Sequence, residues 1–201
     1  MSETAFTEES TIFYGNQYKE YVGYDMAELG DFNGDGVDDL LIGAGNHDLV
    51  DGADPDNASD EGAAYVVLGS GTGWDSMRLE DSHVKIMGTE FEGKLGRYVG
   101  GPGDIDGDGL DEAFAVSHVW DGVEENMGLV VGVMGGHEGG IVYADTDADL
   151  LIVGEGKNDY IGRGIAPAGD VNADGIDDFW MGSNGVGPYG ILYLVQGAAR
   201  P

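Results

Sequence analysis

Gly30-Asp31-Phe32-Asn33-Gly34-Asp35-Gly36-Val37-Asp38-Asp39-Leu40-Leu41-Ile42 sets oxygen-bearing side chains at alternate positions of a glycine-rich turn and then runs into an apolar stretch. The same ladder returns as Asp104-Ile105-Asp106-Gly107-Asp108-Gly109-Leu110-Asp111-Glu112 and as Asp170-Val171-Asn172-Ala173-Asp174-Gly175-Ile176-Asp177-Asp178. With the first Asp as position one, side-chain oxygens at positions one, three, five and nine, plus a backbone carbonyl at seven, can wrap a hard cation that takes roughly 6–8 oxygen ligands. Glycine at position six (Gly36, Gly109, Gly175) permits the tight turn this requires. One such ladder could be a chance acidic turn. Three in register form the layout of a calcium-binding loop.

The register extends upstream. Gly15, Gly23 and Asp31 are spaced by eights, as are Gly88, Gly96 and Asp104, and again Gly154, Gly162 and Asp170. The ladders therefore mark a structural unit with a period of 73 and then 66 residues. Such a unit buries its core against its neighbours.

Within the first unit, Tyr24 to Leu29 alternates and leads into the ladder, and Leu40 to Ala44 emerges from it, so the ladder is a β-hairpin connection. An acidic loop from Asn46 to Asp60 precedes a third strand, Ala63 to Leu68, and His83 to Met87 makes a fourth. The second unit repeats the plan with Arg97 to Gly101, Ala113 to Ser117, Leu129 to Met134 and Leu150 to Val153. Ile141 to Ala144 is an extra strand-like run in its last connection. The third unit supplies Arg163 to Ala166, Phe179 to Met181 and Ile191 to Val195, and its fourth strand is missing. Thr11 to Tyr14 sits before Gly15 where fourth strands sit before Gly88 and Gly154, so the sequence offers a spare one.

Four-stranded antiparallel units repeated radially describe an all-β β-propeller. The expected organisation is one array over residues 1–201: a fourth-type strand at 11–15, blade one at 22–88, blade two at 95–154 and blade three at 161–197. Three blades fall short of the roughly 4–8 of a closed propeller. The sequence therefore reads as a partial propeller or as half of a ring shared by two chains. In that second case Thr11 to Tyr14 pairs with Ile191 to Val195 of a partner copy.

Composition fits a strand-and-turn protein: 38 glycines, five prolines and 41% hydrophobic residues. The formal charge is −31, from 39 acidic and 8 basic residues, and only ten of those acids stand at positions one, three, five and nine of the ladders. So acidic a chain repels nucleic-acid phosphates and anionic membranes, which excludes both as partners. Four lysines suit either a high-salt habitat or an acidic secreted protein. There is no cysteine, hence no disulfide framework and no thiol chemistry. Met1 to Ser10 has neither the basic start nor the apolar stretch of a secretory signal, and no apolar run approaches the roughly 20 residues of a membrane span.

Rival readings of the ladder fail on particular residues. An EF-hand needs a bidentate Glu at position twelve and flanking helices, whereas Ile42, Ala115 and Met181 stand there. Dockerin loops repeat at a shorter interval and continue into helices. Gly185 to Gly190 fits a dinucleotide fingerprint only on paper, since a strand follows and Pro188 interrupts it. His47, His83, His118 and His137 lack metalloprotease spacing. With 39 acids, almost any pair of carboxylates could be proposed for glycoside hydrolysis, which deprives each pair of weight. Trp74, Trp120, Tyr143, Trp180 and Tyr189 could line a sugar-binding face or pack between blades. Asn57-Ala58-Ser59 is a glycosylation acceptor where the source glycosylates.

The pattern Gly-x7-Asp-x-Asn/Asp-x-Asp-Gly-x2-Asp followed by an apolar strand resembles the FG-GAP repeat, the blade of the integrin alpha-subunit headpiece. It is clearest from Gly23 to Gly45 and covers nearly the whole chain. The aromatic before the first glycine is replaced by Val22, Leu95 and Ile161. The Gly-Ala-Pro element appears as Gly43-Ala44-Gly45, Ala115-Val116-Ser117 and Gly182-Ser183-Asn184.

The resemblance implies three calcium sites: Asp31, Asn33, Asp35 and Asp39 with the Val37 carbonyl; Asp104, Asp106, Asp108 and Glu112 with Leu110; Asp170, Asn172, Asp174 and Asp178 with Ile176. Site two carries four carboxylates against three and is expected to hold its ion most tightly. Asp38, Asp111 and Asp177 are expected to brace the loops. The functional expectation is a non-enzymatic, structurally calcium-dependent module for extracellular or cell-surface adhesion, with a protein or glycan ligand. The alternatives are a polysaccharide-active or lectin-like propeller domain and a structural segment of a larger repeat protein.

Overall fold

The computed structural model describes residues 10–49 and 59–200, and Asn57 of the glycosylation triplet, most of the acidic loop and the first nine residues lie outside them. The strands are β1 (Phe13–Tyr14), β2 (Met26–Gly30), β3 (Asp39–Ala44), β4 (Ala63–Val67), β5 (Met77–Arg78), β6 (Val84–Met87) and β7 (Tyr98–Gly100). They continue with β8 (Ala113–Ser117), β9 (Leu129–Val133), β10 (Gly140–Tyr143), β11 (Leu150–Val153), β12 (Ile161–Gly169), β13 (Asp178–Ser183) and β14 (Ile191–Val195). Leu79–Asp81 is a single turn of 3-10 helix, the only helical element among the described residues.

Each ladder joins the first two strands of an antiparallel sheet: β2-β3-β4-β6, β7-β8-β9-β11 and β12-β13-β14. The first strands β2, β7 and β12 lie side by side, so the sheets stand next to one another in a propeller-type arrangement. A sheet covered on both faces needs apolar residues at consecutive positions, and β4, β8 and β9 are buried throughout. Leu41, Val66 and Ile86 of the first sheet pack with Ala115 and Val131 of the second and with Leu95 of the connection between them. Phe114 and Val130 of the second pack with Phe179 and Met181 of the third. The Phe114 and Phe179 rings meet edge to face at 5.3 Å.

The eight-residue spacing has a steric cause. A Cβ on Gly43 would collide with the Gly96 carbonyl, and one on Gly96 would collide with the Ala63 carbonyl. The connection between sheets thus crosses the second and third strands of the preceding sheet at backbone contact. The connection turns by left-handed residues that are not glycines: Lys19 and Tyr21, then Glu92 and Lys94, then Asn158 and Tyr160, all between φ 52° and 62°.

The chain's first strand takes a partner that the sequence did not suggest. Within one chain β1 does not meet β14; it runs parallel to β5, with Phe13 opposite Met77 and Tyr14 opposite Arg78. The extra run expected near Ile141 is β10, which lies parallel on β6 in the same manner. In both cases a segment from a long third-to-fourth-strand connection reaches back to a strand just before Gly15 or Gly88. β5 carries too little pattern, two residues, to be read from sequence.

Candidate metal centre

Each ladder is stitched by its own backbone. Asp31 Oδ1 accepts the amides of Gly34 (2.8 Å) and Asp35 (3.0 Å), and its Oδ2 accepts Gly36 (2.9 Å). Asn33 Oδ1 accepts the Asp35 amide and Asp35 Oδ1 the Val37 amide, at 3.0 and 2.9 Å. Asp104 and Asp170 repeat the pattern, with Gly109 and Gly175 donating to their Oδ2 atoms at 2.9 and 2.8 Å. Position six sits at φ 81°, 90° and 92° in Gly36, Gly175 and Gly109, the left-handed region open to glycine. These bonds hold the Asp170 carboxyl below its ordinary value, chiefly through the Gly175 amide.

The oxygens of the second ladder converge. In the second loop, carboxylate oxygens of Asp104, Asp106 and Asp108 lie within 4.8 Å of one another. Two ligands on one calcium at about 2.4 Å lie at most about 4.8 Å apart, so the spacing suits a single hard cation and the all-oxygen donor set suits calcium. Asp106 is buried, and its Oδ2 has no hydrogen-bond partner. Arg200 Nε lies 2.6 Å from that oxygen as an ion pair without hydrogen-bond alignment. A buried carboxylate oxygen held only by a misaligned, half-exposed cation fits a metal ligand.

The ninth residues have a second task that sequence reasoning missed. Asp39, Glu112 and Asp178 are 1%, 0% and 0% exposed. Asp39 accepts the Phe32 amide (3.0 Å) and the Gly69 amide (2.6 Å), and Asp178 accepts those of Val171 and Gly197, both at 3.0 Å. Glu112 accepts Ile105 at 2.7 Å and Gly135 at 3.3 Å. Each residue thus ties the start of its loop to the exit of the third strand, and Glu112 stands outside the three-carboxylate cluster. Each oxygen keeps a second lone pair. Burial raises the Glu112 carboxyl to about 7 despite its two amide donors, and raises Asp39 as well.

The eighth residues of the second and third ladders reach across to the preceding unit, while Asp38 is exposed. Asp111 Oδ2 accepts the Asp31 amide, and the Asp111 and Asp177 amides donate to the carbonyls of Asp31 and Asp104. They brace a loop, but the neighbouring one rather than their own.

A second polar cluster lies away from the ladders. Glu20, 2% exposed, accepts the amides of Asn16 (2.6 Å) and Gln17 (3.1 Å), bonds the Tyr65 hydroxyl and lies 2.9 Å from His47 Nδ1. Burial pushes its carboxyl up, but His47, Tyr65 and the two amides outweigh it and hold it at about 2. The cluster joins the eight-residue connection to β4 and the loop after β3. His118, buried against Tyr98 and Tyr160, is lowered to about 4 by burial, with Arg163, Arg97 and Lys94 adding to the effect.

Known proteins agree with this architecture. Residues 28–67, from β2 through the first ladder to β4, match the FG-GAP repeat. The chain is 38% identical to integrin alpha-PS2 of Drosophila melanogaster over 113 residues, 55% of its own length. It is 29% identical to integrin alpha-5 of Xenopus laevis over 87% of its length and 30% identical to integrin alpha-PS3 of Drosophila melanogaster over 86%. It spans only 7%, 16% and 14% of those relatives' own lengths. No helix among the described residues is long and apolar enough to cross a membrane. With its first ladder inside a matched FG-GAP repeat and two further ladders in the same register, the chain is a domain of the FG-GAP, integrin-alpha type.

Proposed function

We propose that this chain is a non-enzymatic, calcium-stabilised propeller module for adhesion or recognition outside the cell. Calcium is held by the three ladders, through positions one, three and five, the position-seven carbonyls of Val37, Leu110 and Ile176, and the remaining lone pairs of Asp39, Glu112 and Asp178. The observation that carries the reading is the convergence of Asp104, Asp106 and Asp108 on one point within a turn that recurs three times. Calcium neutralises carboxylates that otherwise repel one another and so fixes one end of each sheet. The opposite loops are then free to present side chains to a protein or glycan ligand. Likeness to integrin alpha subunits favours a protein ligand.

Calorimetric titration of chelator-treated protein tests the proposal. Binding of three calcium ions, reduced to two by Asp108→Ala, is the expected result. Absence of calcium binding at millimolar concentration would overturn it.

A second reading, a lectin-like face, draws on Tyr189, 95% exposed in the turn between β13 and β14. Glycan binding that is lost in Tyr189→Ala would favour it over a protein ligand. Turnover of the bound glycan would favour a polysaccharide-active domain.

A further inference from the structure

Arg97 and Arg163 occupy the same position of successive units, directly after Gly96 and Gly162, where the first unit has Tyr24. The position lies at the start of the first strand, at the end away from the ladder. Arg97 sits over the Tyr24 ring at 3.8 Å and Arg163 over the Tyr160 ring at 4.3 Å. A guanidinium over a ring face engages its π surface and leaves its N–H edge for an acceptor.

The described residues supply almost none. Their ion pairs use His47, Lys94, Lys157 and Arg200, and neither Arg97 nor Arg163 takes part. The one side-chain hydrogen bond from either arginine among the described residues runs from Arg163 Nη1 to Asn184 Oδ1 at 3.3 Å. In a chain with 39 acids, two arginines thus stand without a carboxylate.

His118 lies between them. Its ring is 5.1 Å from Tyr98, the neighbour of Arg97, and 6.3 Å from Tyr160, which carries Arg163. His118 is 7% exposed, and its Nδ1 has no hydrogen-bond partner; Arg163 Nε is shielded and unpartnered too. Two of the five such atoms among the described residues therefore fall in one cluster. Buried polar atoms are normally paired, and a group that is not calls for an ion or ligand. Burial, and then the charges of Arg163, Arg97 and Lys94, keep His118 neutral. Lys94 is already answered by Asp60 at 2.8 Å, which leaves the two arginines. The cluster is centred on the second unit, which has a neighbour of its own kind on each side within this chain.

We propose that Arg97, Arg163 and His118 form a subsite for a single carboxylate, presented by an acidic side chain of a protein partner. This deepens the reading as a recognition module and rests on it. Guanidinium N–H edges match the two oxygens of a carboxylate, and the neutral imidazole has one N–H to add. Charge selects the partner. A chain of formal charge −31 repels polyanions at long range, whereas within a Debye length of about 8 Å the local cations prevail. The acid that fits is therefore isolated, in neutral or basic surroundings.

NMR of the isotope-labelled chain in calcium tests this, with three probes at millimolar concentration: acetyl-Lys-Asp-Lys-amide, acetyl-Lys-Asn-Lys-amide and acetyl-Asp-Asp-Asp-amide. The first should shift the His118 ring and the Arg97 and Arg163 Nε–H signals saturably. The second should leave them in place, and the third should bind more weakly than the first. Arg97→Lys and Arg163→Lys keep the charge and give up the planar edge, so each should weaken binding of the first peptide about tenfold. Equal shifts from the Asp and Asn peptides, no shift from any probe, or full affinity in both variants overturns the proposal. Tighter binding of a sulfated trisaccharide than of the first peptide overturns the protein partner and assigns the subsite to a glycan. Calcium titration of the same samples keeps the two readings apart: missing ions sink the calcium module, and missing peptide shifts sink only this subsite.

Discussion

Asp111 holds Asp31 by both of its hydrogen-bonding ends: its Oδ2 accepts the Asp31 amide at 2.8 Å, and its amide donates to the Asp31 carbonyl at 3.2 Å. Asp31 opens the first ladder, so the second unit positions the leading carboxylate of the first unit's ladder. Asp111→Ala leaves a partly buried amide without its acceptor, at a cost of about 1–3 kcal/mol. The expected outcome is a lower melting temperature together with weaker calcium binding at one site, read by thermal melts and calorimetry. An unchanged affinity for all three ions would show that the clasp does not position Asp31.

Acid should loosen the fold in two stages. His118 titrates at about 4 in the folded chain, below the ordinary 6.5, because burial disfavours its charged form. A depressed folded value means that the unfolded chain takes up the proton first, so this contribution is full above pH 6.5 and is lost as pH falls towards 4. Glu20, held at about 2 against an ordinary 4.5, contributes stability above pH 4.5 that is lost as pH falls towards 2. Glu20→Gln should cost about 1–3 kcal/mol at neutral pH and flatten the lower stage. His118→Gln should flatten the upper one. Melting temperature from pH 7 to 2 in chelator, read as wild type minus each variant so that the opposite-signed gain from the raised Glu112 carboxyl cancels, checks both, and a difference that does not change with pH in its window would contradict that assignment.

Gly43 and Ala173 test the backbone in opposite directions. A methyl group on Gly43 meets the Gly96 carbonyl. Gly43→Ala should therefore destabilise by about 3 kcal/mol as the connection is pushed off the sheet. Ala173 sits at φ 63° at ladder position four, where Gly34 and Gly107 stand in the other loops. Ala173→Gly removes about 1–2 kcal/mol of left-handed strain and adds back up to about 1 kcal/mol of unfolded-state entropy. A net gain of about 0.5 kcal/mol in denaturant melts is expected, and a loss would show that the methyl group packs usefully.

The strands and loops were legible because their signals are local. Leu40 to Ala44, Ala113 to Ser117, Leu150 to Val153 and Ile191 to Val195 are apolar runs bounded by turn residues, and each is a strand within a residue of its expected bounds. The relations between units were not legible. Nothing near Glu20 announces His47 and Tyr65, which come from 27 and 45 residues away. Asp111 and Asp31 are separated by 80 residues, and an acid at position eight reads the same whether it braces its own loop or the next. Position nine was read from residue type alone. Its burial and its two amide donors depend on where the third strand ends. The periodic frame was in the sequence, and the use each unit makes of its neighbour required coordinates.

Arg200 bears on how the three proposed calcium sites rank. Charge count favours the second ladder, with four carboxylates against three in each of the others. Yet Glu112 has turned both oxygens to backbone amides, and Arg200 Nε lies 2.6 Å from Asp106 Oδ2. A guanidinium at that distance competes with a cation for the same oxygen, and half of its side chain is exposed, so removing it disturbs little else. Arg200→Ala should tighten one of the three calcium sites about two- to fivefold, the scale of a partly screened surface ion pair worth about 0.5–1 kcal/mol. A site held 100-fold below the free calcium concentration stabilises the fold by about 2.7 kcal/mol, and a fivefold tightening adds about 1 kcal/mol. Calorimetry on wild type and Arg200→Ala, paired with melts in calcium and in chelator, measures both. The variant should melt higher only when calcium is present. Equal melting gains in chelator would mean that Arg200 strains the fold instead of competing with the ion.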